Sequence, residues 1–217
     1  MKSILLEQGR RTVAELRRIA TVSNAPAILF LRALVALACL AAFAPIYAGQ
    51  SDSLFTRTAA MIPMRDGVRL NTQVFAPTRT GEPLPLLLLR TPYGIGELSS
   101  AQLAAALPEL TADGYVIVQQ DIRGRFKSEG QFVMLRQPRD PKDKKAIDES
   151  TDTYDTIEWL LKNVPHNNGR VGLAGTSYGA WLSVMGMLEP HPALKAVVTQ
   201  ASPADMWLGD DFHHNGA

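Results

Sequence analysis

The chain has 217 residues, with 22 basic and 21 acidic side chains and a net charge of +1; it is 46% apolar, 20% charged and 7% aromatic. These values fit a globular protein and exclude a collagen, a disulfide-stapled miniprotein, a polytopic membrane protein and a disordered charged chain. No basic excess exists to release counterions from phosphates, so no nucleic-acid partner is expected. The length allows one or two domains with a sizeable core.

The charge is unevenly placed. Residues 1–32 hold six cations and two anions, and residues 33–51 hold no charge. Positions 33–44 are almost all Ala, Leu, Val and Phe, and Pro45-Ile46-Tyr47-Ala48 follows. A cationic region, an apolar region and a small residue at 48 predict a secretory signal over 1–48, with export to the periplasm or beyond the cell. The apolar run is short of the roughly 20 residues that span a bilayer. Extending it back to Arg32 would cost roughly 2.5–3.5 kcal/mol near the bilayer centre. A retained anchor and a misplaced start site stand as alternatives, and Ile46 is large for its place in a cleavage site. Cys39 is the only cysteine, so a chain cut at Ala48 has no disulfide.

From residue 61 onward strand-like and helix-like stretches alternate. Arg69–Phe75 alternates with period two after Asp66-Gly67 and predicts a half-buried strand after a turn. Leu84–Leu89 and Tyr115–Gln120 are short apolar runs, read as strands buried on both faces. Residues 98–112 have helical spacing broken at Pro108. Residues 136–150 are polar and proline-containing, and read as a surface excursion. Asp152–Leu161 predicts a helix, 167–169 a turn, Val171–Ala174 a strand, Tyr178–Leu188 a helix and Ala196–Thr199 a strand. The fold class is α/β: a mostly parallel sheet with helices on both faces and an antiparallel first strand.

Gly175-Thr176-Ser177-Tyr178-Gly179 is the strongest local signal. It follows a buried strand and opens an apolar helix, the setting of a nucleophile elbow. A strand that reverses into a helix within about two residues holds the middle residue in a strained conformation with its side chain exposed. Glycine is expected at 175 and 179 because side chains there would meet neighbouring backbone. The helix N-terminus supplies free N–H groups for a developing oxyanion. Gly94-Ile95-Gly96 lacks a third glycine and an acidic partner, so no dinucleotide cofactor is expected.

Four blocks resemble a known family: PMRDGVRLNTQVFAP (63–77), LLLLRTPYG (86–94), GYVIVQQDIRGRFKSEGQF (114–132) and DTYDTIEWLLKNVPHNNGRVGLAGTSYG (152–179). They are similar to the α/β-hydrolases grouped with X-Pro dipeptidyl-peptidases, cocaine esterase and α-amino-acid ester hydrolases. Residues 133–152 and 187–217 resemble the α-amino-acid ester hydrolase and glutaryl-acylase branch. The resemblance implies a serine hydrolase acting on a small-molecule ester or amide, with α-amino acid esters or β-lactam-type acyl groups as candidates. An X-Pro dipeptidyl aminopeptidase and a non-catalytic remnant are the alternatives.

The same resemblance assigns roles. Ser177 would be the nucleophile, and the Tyr178 N–H and Tyr93 hydroxyl would hold the oxyanion. It implies no cofactor and no metal, contact with a membrane only through the leader, and leaves homo-oligomerisation open. Asp121-Ile122-Arg123-Gly124 with Ser128-Glu129-Gly130 is expected to order loops beside the pocket. Trp207, Asp210 and Asp211 read equally as a pocket lining and as a packed tryptophan with solvated carboxylates. Asp205, Asp210, Asp211, His191, His213 and His214 follow Ser177, but the resemblance does not place the triad acid and base among them. Residues 49–217 are therefore expected to be the first part of a hydrolase domain, inactive alone, with the cap, the triad partners and a C-terminal β domain beyond.

Overall fold

The computed structural model of the chain describes residues 54–78, 81–143 and 145–203. The leader over 1–48 and Asp205, Trp207, Asp210, Asp211, His213 and His214 lie outside the described residues. Six strands are described: β1 (Phe55–Pro63), β2 (Arg69–Pro77), β3 (Leu84–Thr91), β4 (Val116–Asp121), β5 (Asn167–Thr176) and β6 (Leu194–Gln200). They form one sheet in the order β1-β2-β4-β3-β5-β6. β1 pairs antiparallel with β2, and β2 with β4; the β4–β3–β5–β6 pairs are parallel. The described helices are α1 (Ser100–Ala106), α2 (Pro108–Asp113), α3 (Glu149–Asn163) and α4 (Tyr178–Met185).

Alternation along the strands builds two cores. Leu86, Leu88, Val116 and Val118 face α3 and pack with Ile157 and Leu160. Leu87 and Ile117 face the other way and pack with Leu103 of α1, Phe55 and Phe75. Successive side chains point to opposite faces of a strand, so one continuous apolar run feeds both. Gly186, just after α4, lies against Leu173 and Thr153, so α4 shares the α3 face.

Several elements depart from the expected bounds. β1 precedes the expected first strand. Its exposed sequence FTRTAAMIP carries no alternation strong enough to mark it, and β2 supplies its partner through the turn at Gly67, φ 86°. The helix over 98–112 is two helices, with Leu107 between them and Pro108 opening the second. The expected turn at 167–169 is the irregular start of β5, where Gly169 has φ 75°.

The surface excursion ends earlier than expected. Glu149 and Ser150 are the buried first turn of α3. Asp148 caps that helix: its carboxylate accepts from the Thr151 N–H at 2.9 Å, while Thr151 Oγ1 accepts from the Asp148 N–H at 3.0 Å. Reciprocal capping satisfies donors that the first helical turn would otherwise leave unpaired.

The α3 face of the sheet is apolar for most of its length and turns polar at one row. Thr72, Gln120 and Arg90 stand side by side on β2, β4 and β3. Gln120 Nε2 donates to Thr72 Oγ1 and to Thr156 Oγ1, each at 3.0 Å. Arg90 Nε donates to Gln120 Oε1 at 2.9 Å, and its Nη1 donates to Thr153 Oγ1 at 2.9 Å and the Glu149 carbonyl at 3.1 Å. Arg90 Nη2 lies 3.0 Å from Glu149 Oε2 without the alignment of a hydrogen bond. Arg123 grips Asp152 with Nε at 3.0 Å and Nη2 at 2.7 Å, and reaches Asp66 in the β1–β2 turn with Nη1 at 2.6 Å.

Two guanidiniums thus face three carboxyls. Burial opposes ionisation of Asp66, but hydrogen bonds from Arg123 overcome it and hold the carboxyl below its usual range. Burial raises the Glu149 carboxyl, with Arg90 opposing that shift.

The β5–α4 junction imposes a steric constraint. A Cβ on Gly175 would lie 2.2 Å from the carbonyl of Gly179. At Gly179 the nearest atom would be the Arg90 carbonyl oxygen at 3.4 Å, an ordinary contact. Glycine is therefore required at 175 and not at 179, which corrects the symmetric expectation.

Three predictions concern stability, measured by urea unfolding. Gly175→Ala destabilises by about 3 kcal/mol or more, while Gly179→Ala changes stability by less than about 1 kcal/mol. Asp152→Asn costs about 1.5–3 kcal/mol, because it removes the charge that Arg123 grips through two buried hydrogen bonds and leaves Asp66 as its ion partner. Glu149→Gln costs under about 1 kcal/mol, because the amide mimics the favoured neutral form. A raised carboxyl stabilises fully below its ordinary value of 4.5 and loses that contribution as pH rises through the folded value. Glu149→Gln therefore flattens the fall in stability above about pH 4.5.

Candidate active site

β5 passes into α4 through Ser177 alone. Ser177 has φ 56° and ψ −122°, a region that costs non-glycine residues about 1–3 kcal/mol. Its N–H donates to the Gln200 carbonyl at 2.9 Å, which ties the elbow to the end of β6. Its carbonyl accepts from the Ala180 N–H at 3.0 Å and the Trp181 N–H at 3.1 Å. A serine in the N-cap position commonly turns its hydroxyl back onto the helix. Ser177 makes no such bond, and the residue is exposed. The elbow thus presents an uncommitted hydroxyl at a helix N-terminus.

Tyr178 is the first residue of α4, and its ring is buried. The phenol accepts from the Leu135 N–H at 3.1 Å, and the ring meets Trp181 edge-on at 5.3 Å. Burial pushes the phenol above its usual range, so it stays neutral. With its side chain committed to packing, Tyr178 offers the site its backbone N–H.

Tyr93 stands in the loop after β3. Its ring is 67% exposed and meets the Tyr178 ring edge-on at 6.5 Å. The three residues expected from the sequence are therefore neighbours at the C-terminal ends of the parallel strands. An open cleft of about 390 Å³ runs beside them, lined by Thr91, Tyr93, Gly175, Thr176, Gly179 and Gln200. A more enclosed hollow of about 270 Å³ lies at the opposite strand ends, between Leu84, Val116, Trp159 and Val164. Its lining is mainly apolar, with Thr56, Thr58, Asn163 and His166 as the polar members.

Asp121 and Ser128 tie the loops together. Asp121 accepts from the Ile95 N–H at 2.9 Å and from Asn71 Nδ2 at 2.7 Å. Ser128 Oγ donates to the Asp121 carbonyl at 2.7 Å and accepts from the Asn71 N–H at 2.8 Å. Arg123 points away from the cleft, into the ion pairs with Asp152 and Asp66. Sequence reasoning passed over Arg90 and Glu149; their only signal was charge at the end of a buried strand and at a helix start.

His191 is not placed to serve Ser177. Its Nε2 lies 2.9 Å from Glu158 Oε2, and its Nδ1 accepts from the Ala193 N–H at 3.0 Å. It precedes β6, where Leu194 pairs with Val171 at the far end of β5. Ser177 is six residues past Val171, a rise of about 20 Å along a strand. His166, the other described histidine, lies in the α3–β5 turn at the same far end. Among the described residues, no group of three or more His, Cys, Asp or Glu side chains could hold a metal ion.

Residues 66–217 match the X-Pro dipeptidyl-peptidase (S15) family. Cocaine esterase from Rhodococcus sp. (strain MB1 Bresler) is 35% identical over 159 residues, which cover 72% of this chain and 25% of that protein. An aminopeptidase from the marine sediment archaeon Thaumarchaeota archaeon is 43% identical with a TM-score of 0.68, over 75% of this chain and 28% of that one. An α-amino acid ester hydrolase is 39% identical with a TM-score of 0.69, over 77% of this chain and 28% of that one. The chain spans about a quarter of the length of the curated relatives it matches. A mixed, mostly parallel sheet with flanking helices and an elbow between β5 and α4 thus accompanies a match over most of the chain, which belongs to the X-Pro dipeptidyl-peptidase (S15) family of α/β-hydrolases.

Proposed function

We propose that the full-length protein is a serine hydrolase that cleaves a small-molecule ester or amide through an acyl-enzyme on Ser177. The observation that carries this reading is the uncommitted, exposed hydroxyl of Ser177, held at positive φ on the N-terminus of α4. A general base from outside the described residues takes the Ser177 proton as Oγ attacks the carbonyl carbon. The oxyanion accepts hydrogen bonds from the Tyr178 N–H and the Tyr93 hydroxyl, the two donors this reading assigns to it. Collapse expels the alcohol or amine, which takes the proton from the base; water then repeats the sequence and releases the acid. No step calls for a cofactor or metal.

The substrate is proposed to be an ester or acyl amide. Relatives named as an esterase and an ester hydrolase support that choice, and the aminopeptidase among them favours a peptide substrate as the second reading. The alternatives separate on Xaa-Pro anilides against α-amino acid esters. The leader is proposed to direct export, which places the enzyme in the periplasm or outside the cell.

In the full-length protein, a fluorophosphonate probe is expected to label one residue, and Ser177→Ala is expected to abolish both labelling and turnover. Tyr93→Phe lowers kcat by about 100-fold with KM little changed, because it removes one oxyanion donor. Labelling that persists in Ser177→Ala contradicts the reading.

A further inference from the structure

We infer that Arg125 is the positioning residue for Tyr93. This rests on the reading of Tyr93 as an oxyanion donor. Its starting point is that packing does little to fix the Tyr93 ring, which is 67% exposed and touches Tyr178 by an edge. The phenol must then be aimed by its backbone. Residues 91–96 are held by bonds from elsewhere in the fold. The Thr91 carbonyl accepts from the Ile122 N–H at 3.1 Å, the Ile95 N–H donates to Asp121 at 2.9 Å, and the Gly96 carbonyl accepts from Gln73 Nε2 at 2.9 Å.

Within the loop the Tyr93 N–H donates to Thr91 Oγ1 at 3.1 Å; the nearest link from outside the loop is made by Arg125. Its Nε donates to the Pro92 carbonyl at 2.9 Å. Pro92 has no N–H, so its carbonyl is its only main-chain hydrogen-bonding group. That carbonyl belongs to the peptide plane that also contains the Tyr93 nitrogen and Cα, so fixing it fixes the Cα from which the Tyr93 side chain departs.

The guanidinium is itself held. It lies 5.3 Å from the Phe126 ring centroid and 5.0 Å from that of Phe132. The Arg125 N–H donates to the Ile122 carbonyl at 3.1 Å, and its carbonyl accepts from the Ser128 N–H at 2.9 Å. Phe126 also closes on the Tyr93 loop, where a Cβ on Gly94 would lie 2.8 Å from its ring. Arg65, Arg69, Arg123 and Arg139 each pair with a carboxylate. Arg125 has no such ion pair among the described residues, so its hydrogen bond to Pro92 and its two aromatic neighbours account for its placement. A planar fork suits both contacts at once, and a lysine reproduces the donor without the planar stacking.

The test is a double-mutant cycle in the full-length protein, with p-nitrophenyl acetate as substrate. Arg125→Met is expected to lower kcat about 10-fold with KM within about twofold and an unchanged thermal midpoint. Arg125→Lys restores part of that loss. In the Tyr93→Phe background the same Arg125→Met change costs less than about twofold, because the phenol it aims is already gone. Equal losses in both backgrounds would overturn the inference and leave the oxyanion reading standing, as would a rise in KM with kcat intact. A Tyr93→Phe enzyme as fast as wild type would overturn both. If Arg125→Met does not fold, Arg125→Lys carries the same cycle.

Discussion

One row of polar side chains governs how this fold holds its site. Thr72, Gln120 and Arg90 lie abreast on three strands and meet Thr156, Thr153 and Glu149 on α3. Apolar packing alone would let α3 slide along the sheet, because Leu and Val contacts have no direction. Hydrogen bonds with fixed geometry do not permit sliding. Arg123 extends the same lock through Asp152 to Asp66, and so to the β1–β2 turn. Burial raises the Glu149 carboxyl, with Arg90 opposing that shift. A buried network of this kind adds less to net stability than to the uniqueness of the arrangement.

That lock lies directly beneath the candidate site. Arg90 is on β3, and the chain reaches Tyr93 three residues later. The Arg90 carbonyl is also the backbone that Gly179 of α4 packs against. One residue therefore relates the Tyr93 loop, the elbow helix and α3. The elbow adds its own constraint through Gly175, whose missing side chain lets the backbone of α4 close on β5. Positive φ at Ser177 is sustained by the Gln200 carbonyl on one side and the first turn of α4 on the other. Strain of this kind survives only where surrounding structure over-determines it.

Much of this was legible in the sequence. Leu84–Leu89 and Tyr115–Gln120 announced buried strands because apolar runs of that length have few other uses. Pro108 marked the break between α1 and α2, and the Gly-x-Ser-x-Gly pattern between strand and helix located the elbow. Tyr93 came from resemblance, since a tyrosine after a strand carries no functional mark of its own. The misses share a physical cause. β1 is stabilised by pairing with β2 and has little burial pattern. Glu149 and Ser150 read as surface because polar residues usually are, and only their tertiary partners make them core. Gly179 read as obligatory by symmetry with Gly175, but the close approach has one side. Arg125 carried no signal, because its partner is a main-chain carbonyl 33 residues earlier in the chain.

The most direct measurement is the crystal structure of the full-length protein after reaction with a fluorophosphonate, which leaves a mimic of the tetrahedral intermediate on the nucleophile. The account predicts phosphorus bonded to Ser177 Oγ, with the phosphonyl oxygen about 3 Å from both the Tyr178 nitrogen and the Tyr93 hydroxyl. Phosphorus on another residue, or a phosphonyl oxygen turned away from both donors, would contradict it.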